Sequence, residues 1–250
     1  PMEQEVTLGI YVMSYQRADK IKTWHVLNDC TYVVRASEEQ EYRRAGVDKL
    51  LVIPEGGTLK CGDEVCSFMT TFWWIIENTP ENVICILDDD ISTFKYRLND
   101  AVDIIKDLKN GKDIIEDEIV RIAQLVVDLG LGVGCDQADE RLYNYTQEVQ
   151  VKGMAGAMRI INKPCLKAKY NRHDPATSDI DTLYQELLAN RIILQPRYFH
   201  ASTPTVGTNK GGIGKDSVMI RNFVLAMKNK WGRYYDYNFK KGQAKININR

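Results

Sequence analysis

The chain has 250 residues, of which 44% are hydrophobic and 27% charged, with 33 basic against 34 acidic side chains. This length suits one large domain or two small ones, and the even charge balance argues against a protein that coats nucleic acid over its whole surface. No run approaches the ~18 apolar residues of a membrane span. The N-terminus lacks the basic and apolar parts of a signal peptide, and the cysteines form no CxxC pair. We therefore expect reduced thiols and a cytoplasmic location.

The first half of the chain alternates short apolar runs with helical patterns. The apolar runs predict strands at residues 7–12, 31–35, 50–53 and 83–87. The intervening patterns predict helices at residues 20–27, 37–46 and 63–78, with Ser37 as the cap of the second helix. Such alternation is typical of a mostly parallel sheet that is covered by helices on both faces.

The second half has a less regular pattern and an uneven charge. It predicts helices at 113–129 and 179–190, and strands at 131–134, 153–161 and 191–199. Residues 81–150 carry 16 acidic and 7 basic side chains, whereas residues 205–250 carry 10 basic and 2 acidic ones. An acidic middle suits a metal site, and a basic end suits nucleotide phosphates or a nucleic-acid backbone. A solvated basic face is the alternative for the latter.

Three consecutive carboxylates, Asp88, Asp89 and Asp90, follow the apolar run 83–87. Like charges at the end of a buried strand are costly unless they have partners. Mg²⁺ or Mn²⁺ would be a suitable partner, because these ions prefer oxygen ligands and often bridge carboxylates to phosphates. The alternative is a solvated acidic turn in which Asp90 caps a helix.

The loop Ser14-Tyr15-Gln16-Arg17 follows the first strand and offers a hydroxyl, an aromatic face and a guanidinium. These groups suit a nucleotide, although an ordinary surface loop could also carry them. In parallel sheets, ligands bind beyond the carboxyl ends of the strands. The loop and the aspartates are therefore expected at the same edge, where one ligand could contact both.

The segment from Gly9 to Arg17 resembles the opening of the GT-A nucleotide-sugar glycosyltransferases, in which a first strand leads into an SYxR loop. In that family a later apolar strand ends in a DxD motif, which is similar to the triplet Asp88 to Asp90. The resemblance implies a single α/β domain over 1–250 with a GT-A (Rossmann-like) fold and a mostly parallel central sheet flanked by helices. It also implies a UDP-sugar donor and Mn²⁺ or Mg²⁺ held by the outer pair Asp88 and Asp90, with Asp89 as an alternative ligand. The nucleotide-sugar contacts would come from Ser14, Tyr15, Arg17, Arg35, Asp88 and Asp89.

The acceptor half of such a domain would span about 101–204, after a nucleotide-sugar half at about 1–100. Ser178-Asp179-Ile180-Asp181 resembles the family's EDxDL segment, in which a carboxylate acts as general base in inverting members. Because Ser178 replaces the usual Glu, both Asp179 and Asp181 remain candidates for the catalytic base. Asp179 could instead simply favour the first turn of a helix. The resemblance also implies that His200 is an additional metal ligand, with His173 as a weaker alternative and a structural role open for both.

The basic C-terminal segment, residues 205–250, begins with a Gly- and Lys-rich stretch that resembles a phosphate-cradling loop, although its spacing is not that of a Walker motif. Lys210, Lys215 and Arg221 would neutralise a leaving diphosphate from there. Aromatic residues near Trp231 could stack on nucleic acid, or could pack this segment onto the domain.

A narrower resemblance rests on Val33 to Gly46 and Leu51 to Pro54. These segments are similar to the TET/JBP-associated glycosyltransferases of bacteriophages, which are linked to sugar addition on 5-hydroxymethylpyrimidines in DNA. The resemblance implies 5-hydroxymethylcytosine or 5-hydroxymethyluracil in phage DNA as acceptor, with the enzyme in the host cytoplasm. Other acceptors (a glycan, a protein or a small molecule), a nucleotidyltransferase and a DNA-binding accessory module are the alternatives.

Overall fold

The computed structural model describes residues 5–98, 101–104, 109–142, 147–172, 178–204, 217–240 and 243–248. The strands are β1 (Leu8–Met13), β2 (Thr31–Arg35), β3 (Leu50–Ile53), β4 (Val83–Asp88), β5 (Thr93–Leu98), β6 (Ala101–Ile104), β7 (Val133–Gln137), β8 (Val149–Gln150), β9 (Ala155–Asn162), β10 (Gln195–Pro196), β11 (Phe199–Ser202), β12 (Tyr235–Asn238) and β13 (Gln243–Ile246). The helices are α1 (Glu39–Arg44), α2 (Phe68–Asn78), α3 (Gly111–Asp128), α4 (Ser178–Ala189) and α5 (Ser217–Trp231). No helix in these ranges is long and apolar enough to cross a membrane.

Six strands form the central sheet in the order β3-β2-β1-β4-β9-β7. The first four are parallel to one another, and only β9 runs against its neighbours. This architecture confirms the predicted mostly parallel sheet. The carboxyl ends of β1, β2 and β4 consequently meet at one edge.

Apolar side chains cover both faces of the sheet. Cys85 and Leu87 of β4 pack with Ile119 of α3 on one face, whereas Ile84 and Ile86 pack with α2 and α4 on the other. The period-2 alternation of a strand therefore buries β4 from Val83 to Leu87. It also explains why this strand reads as a continuous apolar run rather than an alternating one.

Several predicted boundaries are wrong. The helix expected at 20–27 is only a 3₁₀ turn, Thr23–His25, and the one expected at 37–46 divides into a 3₁₀ turn containing Ser37 and the short helix α1. Helix α2 begins at Phe68 rather than at residue 63, because Ser67 and Thr70 form a capping box there.

Two parts of the fold were not predicted from the sequence. Strands β5 and β6 form a small antiparallel sheet with β11 beside the aspartates. The basic C-terminal segment contains α5 and the β12–β13 hairpin, and Val224, Met227 and Tyr235 pack there against Tyr184 of α4. This segment is thus partly folded onto the domain.

Candidate functional site

The loop after β1 and the aspartates after β4 lie side by side, as predicted. Met13 is in register with Asp88, the last residues of their respective strands. The backbone N–H of Ser14 then donates to the carbonyl of Val33 on the other neighbouring strand, at 3.3 Å. The edge where three strands end therefore carries the predicted loop, the carboxylates and Arg35.

Asp89 points into the protein, where it binds the loop after β1. Its side chain is 4% exposed. One carboxylate oxygen accepts a hydrogen bond from Arg17 Nη1 at 2.8 Å, and the other accepts one from Ser14 Oγ. The Ser14 hydroxyl also contacts Tyr42 OH at 2.5 Å. Three residues expected to contact the nucleotide, Ser14, Arg17 and Asp89, therefore hold one another in place.

Hydrogen bonds from Lys22 and Thr23 fix the backbone of the aspartate triplet. Thr23 Oγ1 donates to the carbonyl of Asp88 at 2.6 Å and accepts from the N–H of Ile91 at 3.1 Å. The N–H of Lys22 donates to the carbonyl of Asp89 at 2.9 Å. The 3₁₀ turn at Thr23 thus clamps both ends of the triplet, which is why this segment does not form the predicted helix.

Asp88 and Asp90 remain as the pair that could hold a metal ion. Burial raises the pKa of Asp88 to about 6, and Arg159 offsets the effect only in part while Asp90 and Asp89 add to it. Burial and the charge of Asp89 also raise the pKa of Asp90, against the opposing effect of Arg17 at 3.4 Å. Crowded carboxylate oxygens of this kind fit Mg²⁺ or Mn²⁺, because a divalent cation would relieve their repulsion.

His200 lies on β11, away from a preformed ligand set. Its Nδ1 donates to the carbonyl of Gln137 at 2.6 Å, which leaves the lone pair on Nε2, and burial lowers its pKa so that the ring is neutral near pH 7. A neutral imidazole held in this way is suited to metal ligation. In the described ranges, however, no three His, Cys, Asp or Glu side chains are grouped closely enough to hold a metal ion.

Arg159, for which the sequence pattern predicts no role, connects the aspartate triplet to Asp179. This buried residue of β9 places Nη1 3.3 Å from Asp88 Oδ1 and Nη2 3.9 Å from Asp179 Oδ2. Its guanidinium also lies 5.5 Å from the ring centre of Phe68, at the start of α2. A single arginine inside the apolar segment Ala155–Asn162 was the sequence signal that could have identified it.

The two candidates for the catalytic base have different environments. Asp181 is fully buried, and its oxygens accept hydrogen bonds from Lys230 Nζ at 2.7 Å, Trp231 Nε1 at 2.8 Å and Gln185 Nε2 at 2.8 Å. This network joins α4 to α5. The side chain of Asp179 is 36% exposed and faces Arg159. Asp179 is therefore the carboxylate that is accessible to an acceptor.

Tyr15 and Arg35 form the outer rim of the loop. The Arg35 guanidinium lies 4.0 Å from the centre of the Tyr15 ring, which is itself partly exposed. Below them Gln16 adopts a left-handed backbone with φ of 54° and donates its N–H to Glu38 Oε1 at 2.7 Å. Burial raises the pKa of Glu38, and within the part of the chain that the structure describes its buried Oε2 has no hydrogen-bond partner. Glu38 was also missed, because it follows Ser37 in the segment that was predicted as a helix.

Three predicted residues lie outside the described residues: Lys210, Lys215 and the alternative ligand His173. Arg221, which was grouped with the two lysines, is exposed on α5. The basic character of the C-terminal segment is visible on its described part, where the exposed cations are Arg221, Lys228, Lys230, Arg233, Lys240 and Lys245.

Comparison with known proteins gives a structural likeness alone. No protein-family model matches the chain, and no curated protein matches its sequence. Among solved structures, glucosyl-3-phosphoglycerate synthase from Mycobacterium tuberculosis with Mg²⁺ and UDP matches with a TM-score of 0.53 and 10% identity, over 96% of this chain and 87% of that one. The same enzyme with UDP matches with a TM-score of 0.54, again at 10% identity and over the same shares.

The chain has the GT-A fold. This finding confirms the fold class that was predicted from the Ser14 to Arg17 loop and the Asp88 to Asp90 triplet. A third structure of the synthase, with Mn²⁺, UDP and glucosyl-3-phosphoglycerate, matches with a TM-score of 0.52 and 11% identity over 96% of this chain and 87% of that one. At such identities the likeness concerns the fold, and activity must be argued from the site.

Proposed function

We propose that this protein is a metal-dependent glycosyltransferase that moves a sugar from a UDP-sugar to a hydroxyl acceptor. The observation that carries the proposal is that Arg159 lies between Asp88 and Asp179. Its guanidinium is 3.3 Å from the carboxylate of Asp88 and 3.9 Å from that of Asp179. A carboxylate pair suited to a metal–diphosphate is thereby placed next to a carboxylate suited to an acceptor hydroxyl. Solved structures of the synthase of the same fold contain UDP with Mg²⁺ or Mn²⁺, and UDP-glucose, which supports the same donor class here.

On the donor side, Asp88 and Asp90 would hold Mn²⁺ or Mg²⁺, with His200 as a proposed further ligand. The ion, when bound, supplies positive charge that stabilises the departing diphosphate. The exposed ring of Tyr15 would stack on the nucleobase while Arg35 supports it from the side. Ser14, Arg17 and Asp89 would position this loop, and Lys210 and Lys215 would neutralise the phosphates.

Glu38 gives a reason to prefer uracil as the base. Its buried Oε2 has no hydrogen-bond partner in the described ranges, although burial of an unsatisfied carboxylate oxygen is costly. Uracil carries an imide N–H that would donate to this oxygen once a rotation of the Glu38 side chain exposes it, whereas the corresponding cytosine nitrogen has no hydrogen. Glu38 would therefore favour UDP over CDP.

On the acceptor side, Asp179 would accept the proton of the acceptor hydroxyl. The acceptor oxygen would then form a bond to the anomeric carbon while the bond from that carbon to the diphosphate oxygen breaks, and UDP would leave with the bonding electrons. Asp181 would stabilise the contact between α4 and α5, because all of its oxygens are already hydrogen-bonded within the protein.

The donor reaction can be tested with a panel of UDP-sugars and Mn²⁺. We expect UDP as the released product, and the Asp88→Asn and Asp90→Asn variants should release it at least ~100-fold more slowly. Asp128→Asn is a matched control, because Asp128 is an exposed aspartate at the end of α3. Release of pyrophosphate from nucleoside triphosphates would instead support a nucleotidyltransferase, and no turnover with any donor would contradict the proposal.

We propose 5-hydroxymethylcytosine, or 5-hydroxymethyluracil, in phage DNA as the acceptor, with the protein acting in the host cytoplasm. A DNA acceptor is supported by the exposed basic residues Arg233 and Lys240, which neighbour the exposed aromatic residues Tyr234 and Phe239 in the sequence. Basic side chains and aromatic rings together suit a nucleic-acid strand. Oligonucleotides containing either base, a cytosine control and 3-phosphoglycerate should be incubated in parallel with UDP-sugars. Mass spectrometry should find the sugar only on the hydroxymethylated nucleoside. Sugar on 3-phosphoglycerate alone would indicate a small-molecule acceptor.

A further inference from the structure

Arg159 is a buried cation that is shared by two carboxylates. It lies opposite Ile86 of β4, it is 8% exposed, and its buried Nε has no hydrogen-bond partner among the described residues. The contacts to Asp88 at 3.3 Å and to Asp179 at 3.9 Å are both longer than the ~2.8 Å of a well-formed charge-assisted hydrogen bond. The guanidinium is therefore divided between the two carboxylates and fully engages neither.

The surroundings restrict what Arg159 can contact. The ring of Phe68 covers the guanidinium, and a small pocket lined by Phe72, Ala155 and Asp179 adjoins it. The pocket also includes Thr182, and the negative charge of the buried Asp136 acts on the guanidinium as well, but the described ion-pair contacts of Arg159 are Asp88 and Asp179. A small rotation of the side chain would strengthen one contact while weakening the other.

We propose that Arg159 is a positioning residue that couples occupancy of the Asp88–Asp90 metal site to the orientation of Asp179. A cation at Asp88 competes with the guanidinium for the same carboxylate, so Arg159 is released toward Asp179 and holds that carboxylate in one orientation. By linkage, Asp179 draws Arg159 away from Asp88 and so favours the metal. This inference rests on the proposed function, which places the metal at Asp88 and Asp90.

The coupling can be measured as the Mn²⁺ affinity of the full chain, by calorimetric titration without donor or acceptor. Arg159→Gln should bind Mn²⁺ about five- to tenfold more tightly, because a competing positive charge is removed. Asp179→Asn should weaken Mn²⁺ binding about fivefold in the wild-type background. The same change should have less than about a twofold effect when combined with Arg159→Gln, because its influence passes through the arginine.

Two further variants separate this role from stability. Arg159→Lys keeps the buried charge but provides a single ammonium group that cannot contact both carboxylates, so the coupling should fall while the fold persists. Arg197→Gln is the matched control, because Arg197 also has a buried Nε that finds no hydrogen-bond partner among the residues the structure describes. It should lower the melting temperature without changing the Mn²⁺ affinity.

The outcomes distinguish the inference from the proposed function. If wild type binds Mn²⁺ and Asp88→Asn abolishes that binding, yet Asp179→Asn has the same effect with and without Arg159, the coupling is refuted and the metal site stands. If Mn²⁺ does not bind wild type, or binds independently of Asp88, the metal site itself is refuted and the coupling with it.

Discussion

The three aspartates should respond differently to the same substitution. Asp89→Asn removes the charge that Arg17 Nη1 contacts at 2.8 Å in a buried setting, and it alters the hydrogen bond from Ser14. Each charge-assisted hydrogen bond contributes ~1.5–3 kcal/mol, and the remaining contact of Arg17 with Asp90 offsets part of the loss. We therefore expect a fall of about 3 kcal/mol in the free energy of unfolding. For a chain of this size that lowers the melting temperature by ~6–12 °C.

Asp88→Asn provides the contrast. Because the pKa of Asp88 is raised to about 6, its ionised form is disfavoured in the folded state, and a neutral side chain should leave stability unchanged or slightly higher at pH 7.5. Urea unfolding and Mn²⁺ titration of both variants test the reasoning together. A stable Asp89→Asn protein with a destabilised Asp88→Asn protein would refute the assignment of Asp89 to structure and Asp88 to the metal.

Three further predictions concern the same site. Mn²⁺ affinity should fall as the pH drops through about 6, because the Asp88 carboxyl, whose pKa is raised to about 6, is protonated there and cannot bind the ion. Calorimetric titration from pH 5 to 8 should show this fall, and an affinity independent of pH would contradict the prediction. Glu38→Ala should weaken UDP binding about tenfold and CDP binding less than twofold, and equal losses would argue against base recognition by Glu38. Asp179→Asn should reduce sugar transfer at least ~100-fold with little change in melting temperature. Asp181→Asn should instead lower the free energy of unfolding by ~2–3 kcal/mol, because it disturbs the contacts with Lys230 and Trp231. The reverse pattern would exchange the roles of the two aspartates.

The fold was predictable where one residue pattern had one structural solution. The run before Asp88 is apolar on both faces, short and followed by charged residues, as expected of a strand that is covered on both sides. The position of the Ser14 loop beside the aspartates followed from the parallel connection alone. The helix expected near Thr23 was wrong because the side chain of this residue bonds to Asp88 and Ile91, a contact between distant parts of the chain.

The site was predictable as a location rather than as a set of contacts. Residue types indicated that Ser14, Arg17 and Asp89 belong together, but not that they bind one another instead of facing outward. Asp179 and Asp181 were equivalent in sequence, and only the packing of α5 shows that one of them is fully engaged. Arg159 was missed because its two carboxylate partners lie on elements far apart in the chain.

The measurement that tests the central proposal most directly is calorimetric titration of UDP with and without Mn²⁺. We expect micromolar binding to the wild-type protein in the presence of Mn²⁺, and a loss of at least ~100-fold with chelator or in Asp88→Asn and Asp90→Asn. UDP binding of equal strength with and without Mn²⁺, or none under either condition, would contradict a metal-dependent UDP-sugar site at this edge of the sheet.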